Sequence, residues 1–228
     1  MPHDALNSTG PLRVRAALFD LDGTLIATRR LYIEALADAL EPLLGRRFSE
    51  ADIMRHKPRA ERRFLADMVE EHQAAAVLER FYASYEASHD RHFEGLYTGV
   101  TELLDALRRR PLPMGLVTGK SRRAWEITSS RVRLGTFGVH VFDDDVPAPK
   151  PDPTGLHLAL EALDADPAEV VYVGDSLTDL EAARAAGMAS VAVLWSKKAE
   201  EVDRFRSESM DRGARIAPTP HALLELLE

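Results

Sequence analysis

The sequence predicts an α/β fold in which a mostly parallel sheet is interrupted by a helical insert. Three features carry that expectation: short apolar runs fit for buried strands, helical spacing between those runs, and one long stretch with no strand signal. The runs are Val14 to Phe19 (VRAALF), Leu112 to Val117 (LPMGLV), Val139 to Phe142 (VHVF), Val170 to Val173 (VVYV) and Ser190 to Leu194 (SVAVL). They are partly β-branched and too short for helices, as strands covered on both faces are. Between them Val100, Leu103, Leu104 and Leu107 follow i, i+3, i+4, i+7, and Leu156, Ala159, Leu160 and Leu163 repeat the pattern. That spacing lines one face of a helix. Strand and helix in alternation imply parallel strands joined by crossover helices. From residue 28 to residue 94 only helical spacing remains, in Leu36, Leu40, Leu43, Leu44 and later Val77, Phe81 and Tyr85. The expected organisation is a core of residues 1–27 and 95–228 carrying an insert of residues 28–94, which leaves the core after the first strand and is placed to act as a moving lid.

Bulk properties narrow the function classes. The chain has 228 residues, 45% hydrophobic and 29% charged, with a formal net charge of -8. An acidic balance disfavours non-specific binding to nucleic acid or anionic membrane. No apolar run reaches the length of a bilayer span. The absence of cysteine excludes disulfides, thiol catalysis and thiolate metal sites. The stretch MPHDALNSTG has neither the basic start nor the apolar core of a secretion signal, so a cytoplasmic protein is expected. Against the overall charge, residues 46–63 hold seven basic side chains and three acidic ones. That island is read either as a solvated helix face or as an anion-attracting surface.

In an open α/β sheet, functional groups collect beyond the carboxyl ends of the strands. Four segments qualify: Asp20-Leu21-Asp22-Gly23-Thr24, Thr118-Gly119-Lys120, Lys150-Pro151, and Gly174-Asp175-Ser176-Leu177-Thr178-Asp179. Together they can run phosphoryl transfer through a covalent intermediate. A carboxylate attacks phosphorus only if the anionic phosphoryl group is neutralised by a hard cation and fixed donors. Asp20 and Asp175 offer oxygen ligands for Mg2+, and Thr118 and Lys150 can hold the remaining phosphoryl oxygens. Asp22 can protonate the leaving oxygen and later activate water, while Gly23 lets the backbone turn close to the phosphate.

Each segment also has a plain structural explanation. Asp-Leu-Asp-Gly alone suits a strand-ending turn or the start of a calcium loop, although Leu25 and Ile26 supply no further ligands. Thr118 alone suits a helix cap and Lys150 a solvated loop charge. Ser176 and Asp179 have the spacing of a capping box. The conjunction of all four, in the order acid, hydroxyl, lysine, acid, favours the chemistry.

As they stand, LFDLDGT, LVTGK, PAPKPDP and VYVGDSLTD resemble the motifs of the haloacid dehalogenase superfamily, over almost the whole chain. The resemblance implies a Rossmann-like core with an inserted cap, Asp20 as nucleophile and Asp22 as acid/base. It implies phosphate binding by Thr118, Gly119 and Lys150, and Mg2+ held by Asp20, Asp175 and the backbone carbonyl of Asp22, with Asp179 assisting. The insert looks like the cap of the phosphoglycolate phosphatase and β-phosphoglucomutase branch. Hydrolytic dehalogenases lack the aspartate at the place of Asp22, so Asp22 points to phosphate. Two departures stand out: Ala27, where relatives carry an acidic residue, and His56 in RHKPRAERR, where glycine is common.

The expected activity is Mg2+-dependent hydrolysis of a small phosphorylated metabolite, phosphoglycolate or a sugar phosphate, by a monomer or homodimer. Lys57 and Arg59 are expected to contact the distal anionic part of the substrate. A phosphomutase is the alternative. A phosphonate hydrolase is a further one, because Lys57 is the one lysine of residues 28–94. The charged stretch from Ser196 to Gly213 reads as helix or loop, with no functional assignment.

Overall fold

The computed structural model describes residues 10–56 and 60–227. Six strands, β1 (Ala16–Phe19), β2 (Met114–Val117), β3 (Val139–Val141), β4 (Val170–Gly174), β5 (Ala189–Val193) and β6 (Arg215–Ala217), form one parallel sheet in the order β3-β2-β1-β4-β5-β6. Side chains alternate across it, so a single apolar run serves two cores. Ala17, Phe19, Val171 and Val173 pack under α5 (Val100–Arg108) and α10 (Pro220–Leu226). Ala16, Leu18, Val170 and Tyr172 pack against α7 (Thr154–Leu163) and α8 (Leu177–Ala185). This is the α/β sandwich the alternation implies. The chain adds β2 and β3 on one side of β1, then crosses to add β4, β5 and β6 on the other. A cleft therefore opens beyond the carboxyl ends of β1, β2 and β4.

Two parts of this core differ from expectation. The sixth strand has no apolar run of its own, because Arg215 and Ile216 at the sheet edge are only half-buried. The stretch after Ser196 resolves into α9 (Ala199–Met210), whose Phe205 packs on Leu180, Ala192 and Leu194.

The insert contains α1 (Arg29–Leu44), α2 (Glu50–Arg55), α3 (Glu61–Met68) and α4 (Glu71–His92). They share a separate apolar cluster in which Leu36, Leu40, Phe81 and Tyr85 are fully buried. The two connections run side by side: the Ala27 amide donates to the Gly95 carbonyl (2.8 Å), Glu94 N to Ala27 O (3.2 Å) and Tyr97 N to Leu25 O (3.2 Å). Position 27 thus engages the second connection through its backbone.

The described arginines of the basic island are paired within the chain. Arg47 meets Glu34, Asp38 and Glu41, and Arg46 meets Asp52. Arg62 and Arg63 reach across to the core, Arg63 Nε lying 2.7 Å from Asp143 Oδ1 and its Nη1 and Nη2 donating to the carbonyls of Pro147 and Val146. Among the described residues of the island, charges serve intramolecular docking.

His89 of α4 lies against α6 (Arg122–Ser129), its Nε2 3.3 Å from Thr128 Oγ1. Burial, with Arg131 adding to it and Asp90 opposing, pushes its pKa down from 6.5 to about 4. Unfolded chain therefore takes up a proton that folded chain refuses between those two values, so this histidine removes stability as pH falls from 6.5 towards 4 and has no effect above 6.5. His89→Gln is expected to lose less stability than wild type between pH 7 and pH 5, measured by urea unfolding. Equal losses would show that His89 protonates freely in the folded state.

Candidate active site

The carboxyl ends of β1, β2 and β4 bring three of the four motifs to one cavity of about 280 Å³, and the β3–α7 connection adds Lys150. Backbone pairing fixes the placement: Asp20 N donates to Val173 O (2.9 Å), extending the ladder past the end of β1, and Thr118 N donates to Val141 O (3.0 Å). Asp20, Asp22, Thr118, Gly119, Lys150, Asp175 and Asp179 all line the cavity. Lys57 and Arg59 lie outside the described residues, and nothing is assigned to them. The neighbouring His56 is exposed, stacked on the ring of Phe48 at 6.4 Å and tilted against that of Phe64 at 6.1 Å.

Lys150 is the electrostatic centre. Its ammonium lies 2.7 Å from Asp20 Oδ1 and 2.6 Å from Asp179 Oδ1, and it donates to the Tyr172 hydroxyl (2.7 Å). Tyr172 in turn donates to Val117 O at 2.7 Å. Burial works against the Lys150 charge, yet Asp179 and Asp20 hold its pKa far above the ordinary lysine value. Asp20 is pushed up to about 8, first by burial against the pull of Lys150, then by the neighbouring charges of Asp179 and Asp175. Burial acts on Asp179 in the same direction, but Lys150 and the donors of Ser176 keep it below the ordinary value. Its two oxygens have separate tasks. Oδ1 meets Lys150, while Oδ2 accepts from Ser176 N (2.9 Å) and Oγ (2.7 Å), completing the capping box of α8.

Asp20, Asp175 and Asp179 each present a ligand atom within 4.8 Å of the others. An all-carboxylate set suits a hard divalent cation such as Mg2+. Such a cation would also relieve the mutual repulsion that, with burial, raises the Asp20 pKa.

Asp22 faces the insert. Its Oδ1 accepts from the Thr28 hydroxyl and lies 3.1 Å from Lys120 Nζ. Lys120 is fully buried, donates to the Tyr85 hydroxyl (3.0 Å) and sits over the rings of Tyr85 and Tyr32. Burial opposes its charge, but Asp22, then Tyr85 and Glu61, hold its pKa far up. Glu61, the first residue of α3, is also buried; its Oε1 accepts the Ser121 amide (3.0 Å) at the start of α6. Lys120, Glu61, Tyr172 and Lys197 were not singled out from the sequence. Lys120 follows Thr118 and Gly119 directly and had a strand-end signal; the other three had none.

Gly23 (φ +83°) explains the close approach of the two acidic loops. A Cβ there would lie 2.5 Å from Asp175 Oδ2. Gly23→Ala combines that clash with a left-handed backbone, a strain on the order of 1–2 kcal/mol per residue. It is expected to lower the melting temperature and cut turnover at least about tenfold by displacing Asp175. Wild-type turnover in Gly23→Ala would show that Asp175 can move without consequence.

Comparison with known proteins agrees with this geometry. Residues 17–193 match the family described as haloacid dehalogenase-like hydrolase. The pyrophosphatase PpaX of Bacillus velezensis is 33% identical over 206 residues, covering 87% of this chain and 92% of that protein. A Lactobacillus plantarum protein provisionally assigned as a phosphoglycolate phosphatase superposes with a TM-score of 0.78 at 25% identity, over 94% of this chain and 100% of the other. A Thermotoga maritima protein provisionally assigned as a β-phosphoglucomutase gives 0.72 at 27% identity, over 94% and 98%. With the family matched across most of its length and a parallel sheet that gathers the four motifs at one cavity, the chain belongs to the haloacid dehalogenase-like hydrolases.

Proposed function

We propose that this phosphatase is Mg2+-dependent and transfers the phosphoryl group of a small phosphorylated metabolite to Asp20, then to water. The carrying observation is the convergence of Asp20, Asp175 and Asp179, two of which, Asp20 and Asp179, meet the ammonium of Lys150, with the second carboxylate of Asp22 at the same cavity.

Asp20 Oδ attacks phosphorus in line with the leaving oxygen, forming a P–O bond to the carboxylate as the ester or anhydride P–O bond breaks. Asp22 gives its proton to the departing oxygen. Lys120 at 3.1 Å then faces a bare carboxylate, and this contact stabilises it until a water enters. Asp22 takes a proton from that water, whose oxygen attacks phosphorus and releases Asp20 and inorganic phosphate. Thr118, Gly119 and Lys150 hold the non-reacting oxygens. Asp20, Asp175, Asp179 and the carbonyl of Asp22 would hold Mg2+, which when bound neutralises phosphoryl charge.

Residues 28–94 serve as a cap. Its Glu61, Tyr32 and Tyr85 surround Lys120, so docking of the cap and placement of the Asp22 counter-charge are one event. A cavity of about 280 Å³ between core and cap is of a size for a small substrate. Phosphoglycolate and sugar phosphates remain candidates, and the likeness to PpaX adds inorganic pyrophosphate.

Asp20→Asn is expected to abolish labelling of the protein by a phosphate donor and to lower phosphate release by at least about a thousandfold. Substantial hydrolysis by the purified variant would overturn the covalent route. A panel of pyrophosphate, phosphoglycolate and hexose phosphates, read by free phosphate with Mg2+ and with EDTA, assigns the substrate. A hexose phosphate isomer formed without free phosphate would make the protein a mutase.

A further inference from the structure

The loop beyond β5 brings a further cation to the site. Lys197 precedes α9 by two residues, and its side chain is 17% exposed. Its ammonium lies 2.7 Å from Asp175 Oδ2 and 4.6 Å from the centroid of the Phe205 ring of α9. The Ser196 hydroxyl donates to the same oxygen at 3.3 Å. Asp175 thus has one oxygen committed to the β5–α9 loop, and its carboxylate is one of the three that converge on the cation position.

We infer that Lys197 is a positioning residue that sets the affinity of the site for its divalent cation, acting as a built-in counter-charge on Asp175. This rests on the cation binding proposed above. A lysine beside a metal-ligating carboxylate has two opposite effects. It orients the ligand, which tightens binding, and its positive charge competes with the cation for the same anion, which loosens it. Orientation has other supports here. The Asp175 carboxylate is packed so closely against Gly23 that a Cβ there would meet Oδ2 at 2.5 Å and Oδ1 at 2.7 Å, and Ser196 holds Oδ2 as well. Loss of Lys197 therefore leaves Asp175 in place, and the electrostatic competition decides the sign. Lys197 weakens cation binding.

The function of such a brake is exchange. With Lys150 as the sole opposing charge on Asp20 and Asp179 and none on Asp175, the three carboxylates would hold a cation more tightly and keep the product phosphate with it. Lys197 keeps the cation exchangeable while the ring of Phe205 supports the ammonium by a cation–π contact.

The test is Mn2+ and Mg2+ titration of purified protein by calorimetry, without substrate. Lys197→Met is expected to bind Mn2+ about tenfold tighter than wild type, the size of effect one partly screened charge exerts nearby. Lys197→Arg, which keeps the charge, is expected to bind like wild type. Unchanged or weaker Mn2+ binding by Lys197→Met overturns the inference, the weaker case showing that orientation dominates. Should Lys197→Met fold poorly, Lys197→Gln provides the same loss of charge with a polar group. Failure of wild type itself to bind either cation would instead sink the cation reading on which the inference rests.

Discussion

One buried ammonium holds the candidate site together. Lys150 sits between Asp20 and Asp179, at 2.7 and 2.6 Å, in a place where its own burial would drive it towards neutrality. A buried charge is tolerated only when it is paired and its remaining donors are satisfied. Much of the local architecture follows from that demand. Tyr172 must lie on β4 with its hydroxyl at the strand end, both to accept from Lys150 and to donate to the carbonyl of Val117. Position 174 must be glycine, because a Cβ would lie 2.5 Å from that of Asp179. Ser176 must begin α8 so that Asp179 can cap the helix with one oxygen and face Lys150 with the other.

The same charge logic ties the insert to the core. Lys120 is the second buried cation, and its partners come from both sides: Asp22 from the β1 loop, Tyr85 and the nearby Glu61 from the insert. Arg62 and Arg63, adjacent to Glu61, bind Asp143 on the core. A run of three charged residues at the start of α3 thus joins the two parts, one residue directed inward to the site and two outward to the rim. Among the described residues of the basic island, Arg46 and Arg47 are paired within the insert while Arg62 and Arg63 dock it onto the core.

What the sequence made legible follows from which interactions are local. Strand ends are announced by the point where an apolar run stops, so Asp20, Thr118 and Asp175 could be placed at one end of the sheet before any coordinates. The capping spacing of Ser176 and Asp179 was visible too, but as an alternative to a role at the site; in the structure one oxygen completes the cap and the other meets Lys150, so the two are compatible. Lys197 was hidden because its relation to Asp175 spans 22 positions and depends on the β5–α9 loop folding back over the sheet. Glu61 was hidden because its register on α3 is set by how the insert docks. The edge strand β6 escaped because three residues with an arginine among them show neither alternation nor an apolar run.

Counting the charges around the cavity gives a last constraint on the chemistry. Among the described residues its lining includes Asp20, Asp22, Glu61, Asp175 and Asp179 against Arg29, Lys120, Lys150 and Lys197, five acidic side chains to four basic ones. With Asp20 pushed up towards its neutral form, these side chains come close to balance and offer a phosphoryl dianion no positive excess. A divalent cation held by the carboxylates would supply that excess. Because the balance is so narrow, each lysine in the wall matters as much as the carboxylate it faces, and a change of one charge at position 120, 150 or 197 alters the field that substrate and cation both meet.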